Sequence, residues 1–535
     1  MNGTLPNTLQ PKVEVQNYVG QTIVINTSSL NLTKLAMDIS IIVVFLGVFL
    51  LSYFLTKKKQ NLPPGYFGIP FIGSLSILRK FPGRRPHVVL YGESKRFGPI
   101  FRWYIGRQMF VALNGYDVIN EALVKKADAF SDRPTFINVL NAALPSNPDE
   151  KGVIFCQYNA EWREMRRFSL HALRDFGVGK TSIEEQIMVE TEAVTSILQS
   201  LKGEPTAMDA IMQKLVGNVI YSIIFGKRYE YDDPNFDMVR SLTNVAVSGS
   251  GAVGIANFLP GFITRILNKE EAEIERKRKE TFISIRKYIY EQIDEHEATF
   301  DEDNIRDFVD IYLKTSRQAD ESVKKFITKG NMFRVIIDLF LAGSETTSTT
   351  LDWAFLLMIE YPEVQKKCQQ EIEKVFGDKC IEYAGRNKLV YVNATIMEIQ
   401  RYSTIVPLNV IHYTSKDTTL AGYDIPKDTM VVPSLYSVSM DEKYFPNPTN
   451  FIPERFIDKD GKMVKNEAVI PFSAGPRTCL GEPLARMELF LVFVNLLQRF
   501  TFTRERPDQP HSLDAKTNQI TNAPKPYKLK AMKRQ

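Results

Sequence analysis

The sequence predicts a mainly α-helical fold with small β-sheets (α+β), preceded by a single N-terminal transmembrane helix. Residues 331–360 and 480–499 carry apolar side chains at helical spacing, which predicts two long helices. Residues 100–106 and 108–115 are rich in β-branched and aromatic side chains and are separated by a short turn, which predicts a strand pair. Residues 39–55 are apolar and uncharged, which predicts the membrane span. Most of the remaining chain is predicted to be helical.

Composition favours one large domain and excludes several kinds of site. The 535 residues are 44% hydrophobic, enough to bury a large core, and no internal repeat divides them. The net charge of +5 is too mild to indicate nucleic-acid binding. Four cysteines (Cys156, Cys368, Cys380, Cys479) in so long a chain give no disulfide framework and fit a reducing compartment. The histidines follow no zinc-ligand pattern, which argues against a zinc site.

A transmembrane anchor is predicted at residues 35–56, because about 20 residues are needed to cross a bilayer. Asp38 then lies at the membrane interface. A signal peptide is excluded, because the segment starts too far from the N-terminus and no small-residue cleavage site follows it. Lysines at positions 57–59 follow at once, and the positive-inside rule then places the C-terminal part of the chain in the cytoplasm. We therefore expect residues 1–34 to face a lumen.

The lumenal segment contains three Asn-x-Ser/Thr triplets, at Asn2, Asn26 and Asn31. Asn31 is too near the predicted membrane span to be glycosylated easily, so Asn2 and Asn26 are the candidate acceptors. The triplet at Asn393 is expected to stay unmodified, because it lies in the cytoplasmic part of the chain.

Residues 57–75 are predicted to form a basic, proline-rich hinge between the anchor and a catalytic domain at residues 76–535. The hinge contains Leu-Pro-Pro-Gly at residues 62–65, followed by Pro70 and Gly73. Consecutive prolines fix φ and favour extended chain, so this segment is predicted to be a stiff spacer.

One ten-residue stretch, residues 472–481 (Phe-Ser-Ala-Gly-Pro-Arg-Thr-Cys-Leu-Gly), carries the strongest functional signal. Its Gly-Pro pair indicates a tight loop before a predicted helix, so Cys479 lies at a helix N-terminus. Free N–H groups and the helix dipole stabilise negative charge there, which predicts a lowered thiol pKa and a thiolate able to hold iron. Gly475 and Gly481 permit close approach of a flat macrocycle, against which Phe472 can pack. A lone cysteine is otherwise a small buried hydrophobe.

The stretch matches Phe-x-x-Gly-x-Arg-x-Cys-x-Gly and so resembles the haem-binding loop of the cytochrome P-450 superfamily of haem-thiolate monooxygenases. The resemblance implies the cytochrome P-450 fold and haem b as cofactor, with Cys479 as the axial thiolate ligand of its iron. It also implies that Arg477 pairs with a haem propionate. Motifs of the family follow in the expected order over roughly residues 62–530.

The predicted helix at residues 331–360 has an unusual middle, residues 342–350, where a glycine precedes a run of hydroxyl and β-branched residues. Such residues are poor helix formers whose hydroxyls compete for backbone carbonyls, so a local loosening or bend and a functional reason for Gly343 are predicted. The segment resembles the family's Ala-Gly-x-(Asp/Glu)-Thr-(Thr/Ser) motif. By that resemblance Thr346 hydrogen-bonds the bound dioxygen and Glu345 takes part in proton delivery.

Trp162 and Arg166 lie four residues apart on a predicted helix, so the indole and the guanidinium share one face. Ordinary packing explains the pair equally well, but the resemblance implies that both contact haem propionates. It implies the same for His412, although a lone histidine is more often simply packed. Residues 168–180 resemble the animal microsomal clan that oxidises drugs, steroids and fatty acids.

Glu398 and Arg401 form an acid–base pair at i, i+3 on a predicted helix. Exposed pairs of this kind contribute little to the stability of the fold. Their distance along the chain from Pro-Glu-Arg-Phe at residues 453–456 resembles the spacing of two family motifs. The resemblance implies that Glu398, Arg401 and Arg455 form a buried network that braces the haem loop, a structural and not a catalytic role.

A substrate pocket is implied beside the haem. Residues 245–262 are apolar and glycine-rich; the resemblance favours a lid that also touches the bilayer, and a membrane-dipping loop or plain core are the alternatives. Residues 269–297 carry dense mixed charge, which predicts a long solvated helix. The implied pocket residues are Ala342, Ile405, Val406, Leu408 and Ile520, with Thr521 beside them.

The resemblance implies a membrane-anchored monooxygenase that inserts one atom of O2 into a hydrophobic substrate (a steroid, fatty acid or xenobiotic). Electrons come from NADPH through a separate reductase, because no dinucleotide or flavin module is present, and cytochrome b5 is a further possible partner. The expected location is the endoplasmic reticulum membrane, single-pass, with the catalytic domain on the cytoplasmic face. The alternatives are a haem-thiolate isomerase or dehydratase of peroxides, which commonly lacks the acid–alcohol pair, and a non-catalytic haem or sterol binder.

Overall fold

The computed structural model divides the chain into two compact units, residues 1–61 and residues 62–535, and each is considered by itself. The described residues are 12–16, 22–26, 40–41, 44–45, 47–48, 60–69, 72–134, 150–175, 181–233, 269–517 and 520–534.

The first unit contains an antiparallel strand pair that was not anticipated from the sequence. Strand β1 (Lys12–Gln16) pairs with β2 (Thr22–Asn26), and Lys12 lies opposite Asn26. The signal is the enrichment of both strands in Val and Ile, which favours strands. The candidate glycosylation site Asn26 therefore ends β2, whereas Asn2 and Asn31 lie outside the described residues.

The predicted anchor at residues 35–56 lies mostly outside the described residues. The six of its residues that are described, between 40 and 48, are helical, and the large apolar ones among them are exposed. In the described part of the chain, Met208–Phe225 is the helix long and apolar enough to cross a membrane. Most of that helix is buried inside the second unit, so it is a core helix. The anchor therefore stays a prediction.

The second unit is mainly helical, as predicted. The predicted helices at 331–360, 480–499 and 269–297 are present as Lys329–Glu360, Glu482–Arg499 and Lys269–Ala298. In chain order, the helices are α1 (Leu75–Leu78), α2 (Pro86–Phe97), α3 (Tyr116–Asn120), α4 (Ala127–Phe130), α5 (Ala160–Asp175), α6 (Thr181–Ser200), α7 (Met208–Phe225), α8 (Lys269–Ala298), α9 (Phe308–Gln318), α10 (Glu321–Lys324), α11 (Lys329–Glu360), α12 (Pro362–Phe376), α13 (Val390–Ser403), α14 (Leu435–Ser439) and α15 (Glu482–Arg499). A π-helical turn covers Glu121–Lys125, and 3-10 turns cover Tyr383–Lys388, Pro453–Phe456 and Gly475–Arg477.

The sheets of the second unit are small. The strands are β3 (Ile100–Ile105), β4 (Gln108–Asn114), β5 (His412–Tyr413), β6 (Thr418–Leu420), β7 (Tyr423–Ile425), β8 (Met430–Ser434), β9 (Phe500–Arg504) and β10 (Leu529–Lys533). The predicted pair β3–β4 is antiparallel and extends into a four-stranded sheet of order β3-β4-β8-β5, in which β4 and β8 are parallel. Two further antiparallel pairs, β6–β7 and β9–β10, complete the unit.

The second half of the predicted hinge belongs to the second unit. The Tyr66 N–H donates to the Arg102 carbonyl across 2.9 Å, and the Arg102 N–H donates to the Pro64 carbonyl across 2.8 Å. Ser74 likewise donates to the Tyr104 carbonyl across 2.8 Å. Pro64, Tyr66 and Ser74 are therefore hydrogen-bonded to β3, and the compact unit that contains them begins at Leu62.

Helix α11 is the centre of the core. Its N-terminus is capped by Thr328, whose hydroxyl accepts the Asn331 N–H across 3.1 Å. Helix α7 packs along α11, and a Cβ atom at Gly343 would lie 2.6 Å from Ile220 Cδ1. A larger residue at position 343 would therefore require the Ile220 side chain to shift, so packing against α7 is a structural explanation for this glycine beside the predicted functional one. The helix is continuous through residues 342–350, and the hydroxyls of Thr346, Ser348 and Thr350 each donate to the backbone carbonyl four residues earlier, as the predicted competition requires.

Candidate active site

Cys479 lies in a short loop that joins the 3-10 turn Gly475–Arg477 to α15. The Cys479 N–H donates to the Phe472 carbonyl across 3.0 Å and closes the loop. Gly481 is the N-cap of α15, so Cys479 precedes the helix by three residues, close to the predicted arrangement. The loop therefore presents its sulfur at a helix N-terminus on a backbone that is fixed by its own hydrogen bond.

The free Cys479 thiol does not have the lowered pKa that was predicted. Cys479 is exposed, yet the surrounding protein is dense enough that desolvation raises its pKa. The N–H groups of Gly481 and Glu482, together with Arg166, act in the predicted direction but are outweighed. Helix geometry alone thus does not outweigh desolvation at the free thiol.

Gly475 is required by packing. Its φ is +75°, and a Cβ atom there would lie 1.9 Å from the Leu123 carbonyl oxygen in the π-helical turn. Gly481 shows no comparable constraint, because its Cβ would meet Cys479 Sγ at an ordinary 4.0 Å. The Arg486 guanidinium carbon lies over the Phe472 ring, 5.0 Å from the centroid of that ring. The positive φ and the packing against Leu123 thus explain the glycine at position 475 without reference to a macrocycle.

Arg477 is buried and bonded to three backbone carbonyls. Nε donates to Ser131 across 2.9 Å, Nη1 to Val153 across 3.1 Å and Nη2 to Cys156 across 2.6 Å. Its guanidinium also lies over the Trp162 ring, 4.2 Å from the centroid. Burial lowers the pKa of Arg477 to about 10, and the nearby Arg166 charge acts in the same direction.

Trp162 and Arg166 share one face of α5, as their spacing predicts. The Trp162 indole N–H donates to the Val153 carbonyl across 3.1 Å, so this donor is already satisfied within the protein. Arg166 donates to the Thr478 carbonyl across 2.7 Å, next to Cys479, and its guanidinium lies 5.6 Å from the centroid of the Trp162 ring. The pair therefore connects α5 to the cysteine loop.

Arg133 belongs to the same cluster, although the sequence analysis did not single it out. It is buried and donates to the carbonyls of Val410 and Ile411 across 2.9 and 2.8 Å. Burial lowers its pKa well below the usual value, and Arg477 adds to the shift. The signal in the sequence is an arginine held in extended chain by the following proline, Pro134.

His412 is buried at the start of β5, beside Arg133 and Arg477. Its Nδ1 lies 2.7 Å from the Phe130 carbonyl, so Nδ1 carries the proton, and Nε2 has no hydrogen-bond partner. Burial lowers the pKa of His412 well below its usual value, and the two arginine charges contribute. A buried ring nitrogen without a partner is rare and marks a place where a ligand atom fits.

These cationic groups fit an anionic cofactor. Among the described residues, Arg133, Arg166 and Arg477 form no ion pair with a carboxylate, and burial lowers the pKa of all three. Asp132 is the nearest carboxylate, but it accepts the backbone N–H groups of Arg133 and Tyr158. Buried charges are normally paired, so the cluster lacks an anion. Carboxylates such as haem propionates have the complementary charge and geometry.

Thr346 and Glu345 are adjacent on α11 but are bonded in different directions. The Thr346 hydroxyl donates to the Ala342 carbonyl across 2.7 Å. Glu345 Oε1 accepts the hydroxyls of Thr521 and Thr349 across 3.1 and 3.3 Å. Burial raises the pKa of Glu345, and these two hydroxyls oppose the shift. The carboxyl thus faces the C-terminal loop, while Thr346 lies on the half-buried side of α11.

One face of α11 is open where the pocket is predicted. Leu339 and Thr346 are half-buried and Ala342 is exposed, at spacing i, i+3 and i+7, while the flanking Ser344 and Glu345 are buried. Such spacing forms one helical stripe. The loop 405–408 and the C-terminal loop meet nearby through the Asn522 N–H, which donates to the Ile405 carbonyl across 2.8 Å. Ile405, Val406 and Leu408 are half-buried, and Ile520 is exposed.

The segment implied to cover the pocket, residues 245–262, lies outside the described part of the chain. The predicted lid therefore stays a prediction.

Glu398 joins Arg401 and Arg455 in one buried ion-pair network. Arg401 donates from Nε and Nη2 to the two carboxylate oxygens of Glu398, each across 2.7 Å. Arg455 Nε donates to Glu398 Oε1 across 3.2 Å, and the Ile452 N–H donates to the same oxygen across 2.8 Å. Arg401 also donates to the Pro448 carbonyl across 2.8 Å. The network fixes the meander between α14 and Phe456.

Comparison with known proteins identifies the fold and the activity. The profile of the family described as Cytochrome P-450 matches residues 63–531. The chain is 38% identical over 506 residues to Cytochrome P-450 2D26 of Mus musculus, covering 93% of this chain and 99% of that protein. It is 36% identical over 505 residues to Cytochrome P-450 2B4 of Oryctolagus cuniculus (92% and 99%) and 36% identical over 503 residues to Cytochrome P-450 2U1 of Rattus norvegicus (89% and 92%).

Proposed function

Because the chain belongs to the cytochrome P-450 family, we propose that Cys479 holds the haem iron and that Thr346 and Glu345 serve the chemistry above it. The protein is a membrane-associated haem-thiolate monooxygenase that acts on hydrophobic substrates and takes NADPH-derived electrons from a reductase. The observation that carries the residue assignment is an exposed cysteine near two buried arginines, Arg133 and Arg477, and the half-buried Arg166, none of which pairs with a carboxylate among the described residues. Bound haem supplies the iron at which dioxygen is activated.

The cationic cluster orients the cofactor. Arg133, Arg166 and Arg477, with His412, bind the propionate carboxylates through charge-assisted hydrogen bonds. An anion there offsets the two guanidinium charges beside His412 and so favours protonation of its free Nε2. Trp162 stabilises the cluster, because the Arg477 guanidinium lies over the face of its indole ring.

Thr346 and Glu345 have different roles in proton delivery. The Thr346 hydroxyl, held by the Ala342 carbonyl, orients the oxygen substrate and passes it a proton. Glu345 is a buried carboxyl whose pKa is raised by desolvation, so it binds a proton more readily than an exposed glutamate does. The open side of α11 at Ala342, with Ile405, Val406, Leu408 and Ile520, forms the apolar wall of the substrate pocket.

The anchor and the lumenal segment set the proposed membrane topology. A single span at residues 35–56 places residues 1–34 in the lumen of the endoplasmic reticulum and the catalytic unit on the cytoplasmic face, where cytochrome b5 is a second electron donor. Protease treatment of sealed microsomes tests this arrangement. The catalytic unit should be digested without detergent, and its protection would contradict the orientation.

The iron ligand is tested by the absorption spectrum of the reduced, carbon-monoxide-bound protein. Wild type and Cys380→Ser should show the strongly red-shifted Soret band of thiolate-ligated haem, and Cys479→Ala should lose it. Cys380 is a matched control because it is also a free, exposed cysteine. A histidine-type Soret band from well-folded wild type, or a red-shifted band in Cys479→Ala, would overturn the assignment.

A further inference from the structure

Glu345 lies on a buried stripe of α11 that also carries other protonatable and hydroxyl side chains. Thr349 and Asp352 follow it at i+4 and i+7, so all three lie on the same helical face. Each of the three is at least nine-tenths buried. Of Glu345, Thr349 and Asp352, only Glu345 has a role in the proposed function. A carboxyl so deeply buried needs a route by which it regains a proton after each turnover.

The C-terminal loop covers this stripe and is fastened to it at both ends. The Thr521 hydroxyl donates to Glu345 Oε1 across 3.1 Å, and the Tyr527 hydroxyl donates to the backbone carbonyl of Asp352 across 2.7 Å. Between them, the Trp353 indole N–H donates to the Asn522 carbonyl across 2.7 Å. The two acids are therefore enclosed beneath one ordered segment and shielded from bulk water.

Asp352 is the member of the stripe with unused hydrogen-bonding capacity. Its side chain is 6% exposed, and Oδ1 has no hydrogen-bond partner. Burial raises its pKa to about 7; Tyr527 and Lys516 oppose the shift, while Asp209 and Glu345 increase it. A buried carboxyl with one oxygen lacking a partner is costly as an anion, so Asp352 exchanges its proton near neutral pH, where both forms are populated.

The groups on the far side of Asp352 lead toward solvent. Asp209, near the start of α7, and Lys516, in the C-terminal loop, are only half-buried, and both are close enough to influence Asp352. Lys516 is also the charged group that acts on Glu345. Asp352 thus stands between accessible charged groups and the enclosed Glu345, with the Thr349 hydroxyl between the two acids along the helix.

We infer that Asp352 is a proton-holding residue that reloads Glu345, and that the proton enters from solvent at Asp209 and Lys516. In the transfer, the Asp352 carboxyl loses its proton, the Glu345 carboxylate gains one, and Asp352 is reprotonated from water at the outer end. Thr349 and Thr521 position the Glu345 carboxyl for this transfer. Asp352 does not touch the haem, and the inference rests on the proposed role of Glu345.

The test compares ferric holoprotein of wild type, Asp352→Asn and Glu488→Gln by infrared titration. Wild type should show a C=O band of a protonated carboxyl that disappears as the pH rises through neutrality, and Asp352→Asn should lack that component. Glu488→Gln is the matched control, because Glu488 is a second fully buried acid with a raised pKa that has no hydrogen bond to the C-terminal loop. Glu488→Gln should lose a different C=O component, one that in wild type disappears at higher pH than the Asp352 component.

The same proteins are then reconstituted with reductase and NADPH, without an added substrate. In Asp352→Asn the hydrogen peroxide released per NADPH should rise several-fold, and its dependence on pH near neutrality should be lost; Glu488→Gln should match wild type. Thr349→Val, which keeps the Asp352 acid and removes the hydroxyl between the acids, should raise peroxide in the same direction and keep the infrared component.

Three results would overturn the inference. They are the absence of an Asp352 component in wild type, an unchanged peroxide fraction and pH profile in Asp352→Asn, and an unchanged peroxide fraction in Thr349→Val. The Thr349→Val result decides the matter if Asp352→Asn does not bind haem. Failure of the proposed function is recognised separately, because wild type would then lack the red-shifted Soret band of the reduced, carbon-monoxide-bound protein.

Discussion

The Arg477 guanidinium lies on the Trp162 indole, 4.2 Å from the ring centroid. The contact joins the cysteine loop to α5, two segments more than three hundred residues apart, and the three carbonyl bonds of Arg477 fix its orientation. Arg477 is thus held with its charge unpaired. This arrangement pre-organises a cationic site, because the arginine needs no rearrangement to receive an anion.

Arg477→Lys is expected to weaken haem retention. A lysine keeps the charge but cannot stack on the indole or form three carbonyl bonds at fixed angles. Losing one charged hydrogen bond costs about 1.5–3 kcal/mol, so haem transfer to apomyoglobin should become roughly tenfold faster or more. Arg163→Lys is the control, because Arg163 follows Trp162 on α5 but is exposed. Equal haem-transfer rates in the two variants would contradict the role of Arg477.

The sequence reveals groups that lie close together in the chain and misses those that meet only in the fold. The cysteine loop and the pair of Glu398 with Arg401 are local patterns, and their geometry is close to what those patterns imply. Arg133 joins Arg477 only through the tertiary fold, so the Arg133-Pro134 pair alone does not show that the two arginines meet. The raised pKa of Cys479 was missed for the same reason, since desolvation depends on distant segments that surround the thiol.

Thr346→Ala is expected to divert electrons to hydrogen peroxide. The variant removes the hydroxyl that we propose orients oxygen and passes it a proton, so product formed per NADPH should fall at least about tenfold. Thr346→Ser keeps the hydroxyl and should stay near wild type. The measurement is the ratio of peroxide to NADPH in the reconstituted system. Equal ratios in the alanine variant and wild type would contradict the assignment.

Gly475→Ala is expected to prevent haem binding. The added Cβ would lie 1.9 Å from the Leu123 carbonyl oxygen, and the φ of +75° is unfavourable for alanine. Both effects push the loop away from the π-helical turn and displace Arg477 with it. Gly92→Ala in α2 is the control, because a Cβ atom there would meet nothing within 4 Å and the site lies outside the cysteine loop. Full haem incorporation in Gly475→Ala would show that the loop tolerates displacement.

Glu398→Gln is expected to destabilise the catalytic unit strongly. The change leaves Arg401 and Arg455 as buried charges without their shared carboxylate, and breaking a buried pair costs about 3–5 kcal/mol. Glu454→Gln in the neighbouring turn removes an exposed pair with Lys367 and should cost at most about 1 kcal/mol. Urea unfolding of both holoproteins gives the comparison. Similar midpoints for the two variants would mean that the network contributes little to stability.

Glu488→Gln is expected to change how stability depends on pH. Glu488 in α15 is fully buried, neither carboxyl oxygen has a hydrogen-bond partner of normal geometry, and burial raises its pKa to about 8, with Thr347 opposing the shift. The folded protein therefore keeps this proton up to about pH 8, whereas the unfolded chain releases it near the ordinary glutamate value.

The sign of the effect follows from proton counting. Between the two pKa values of Glu488 the folded state binds more protons, so its contribution to the free energy of unfolding is present at acidic pH and falls as the pH rises, by roughly 5 kcal/mol in all. Glutamine does not titrate and removes this slope. Glu488→Gln should therefore gain stability relative to wild type as the pH rises toward 8, in urea unfolding at a series of pH values. Parallel stability curves for the two proteins would show that Glu488 is ionised in the folded state.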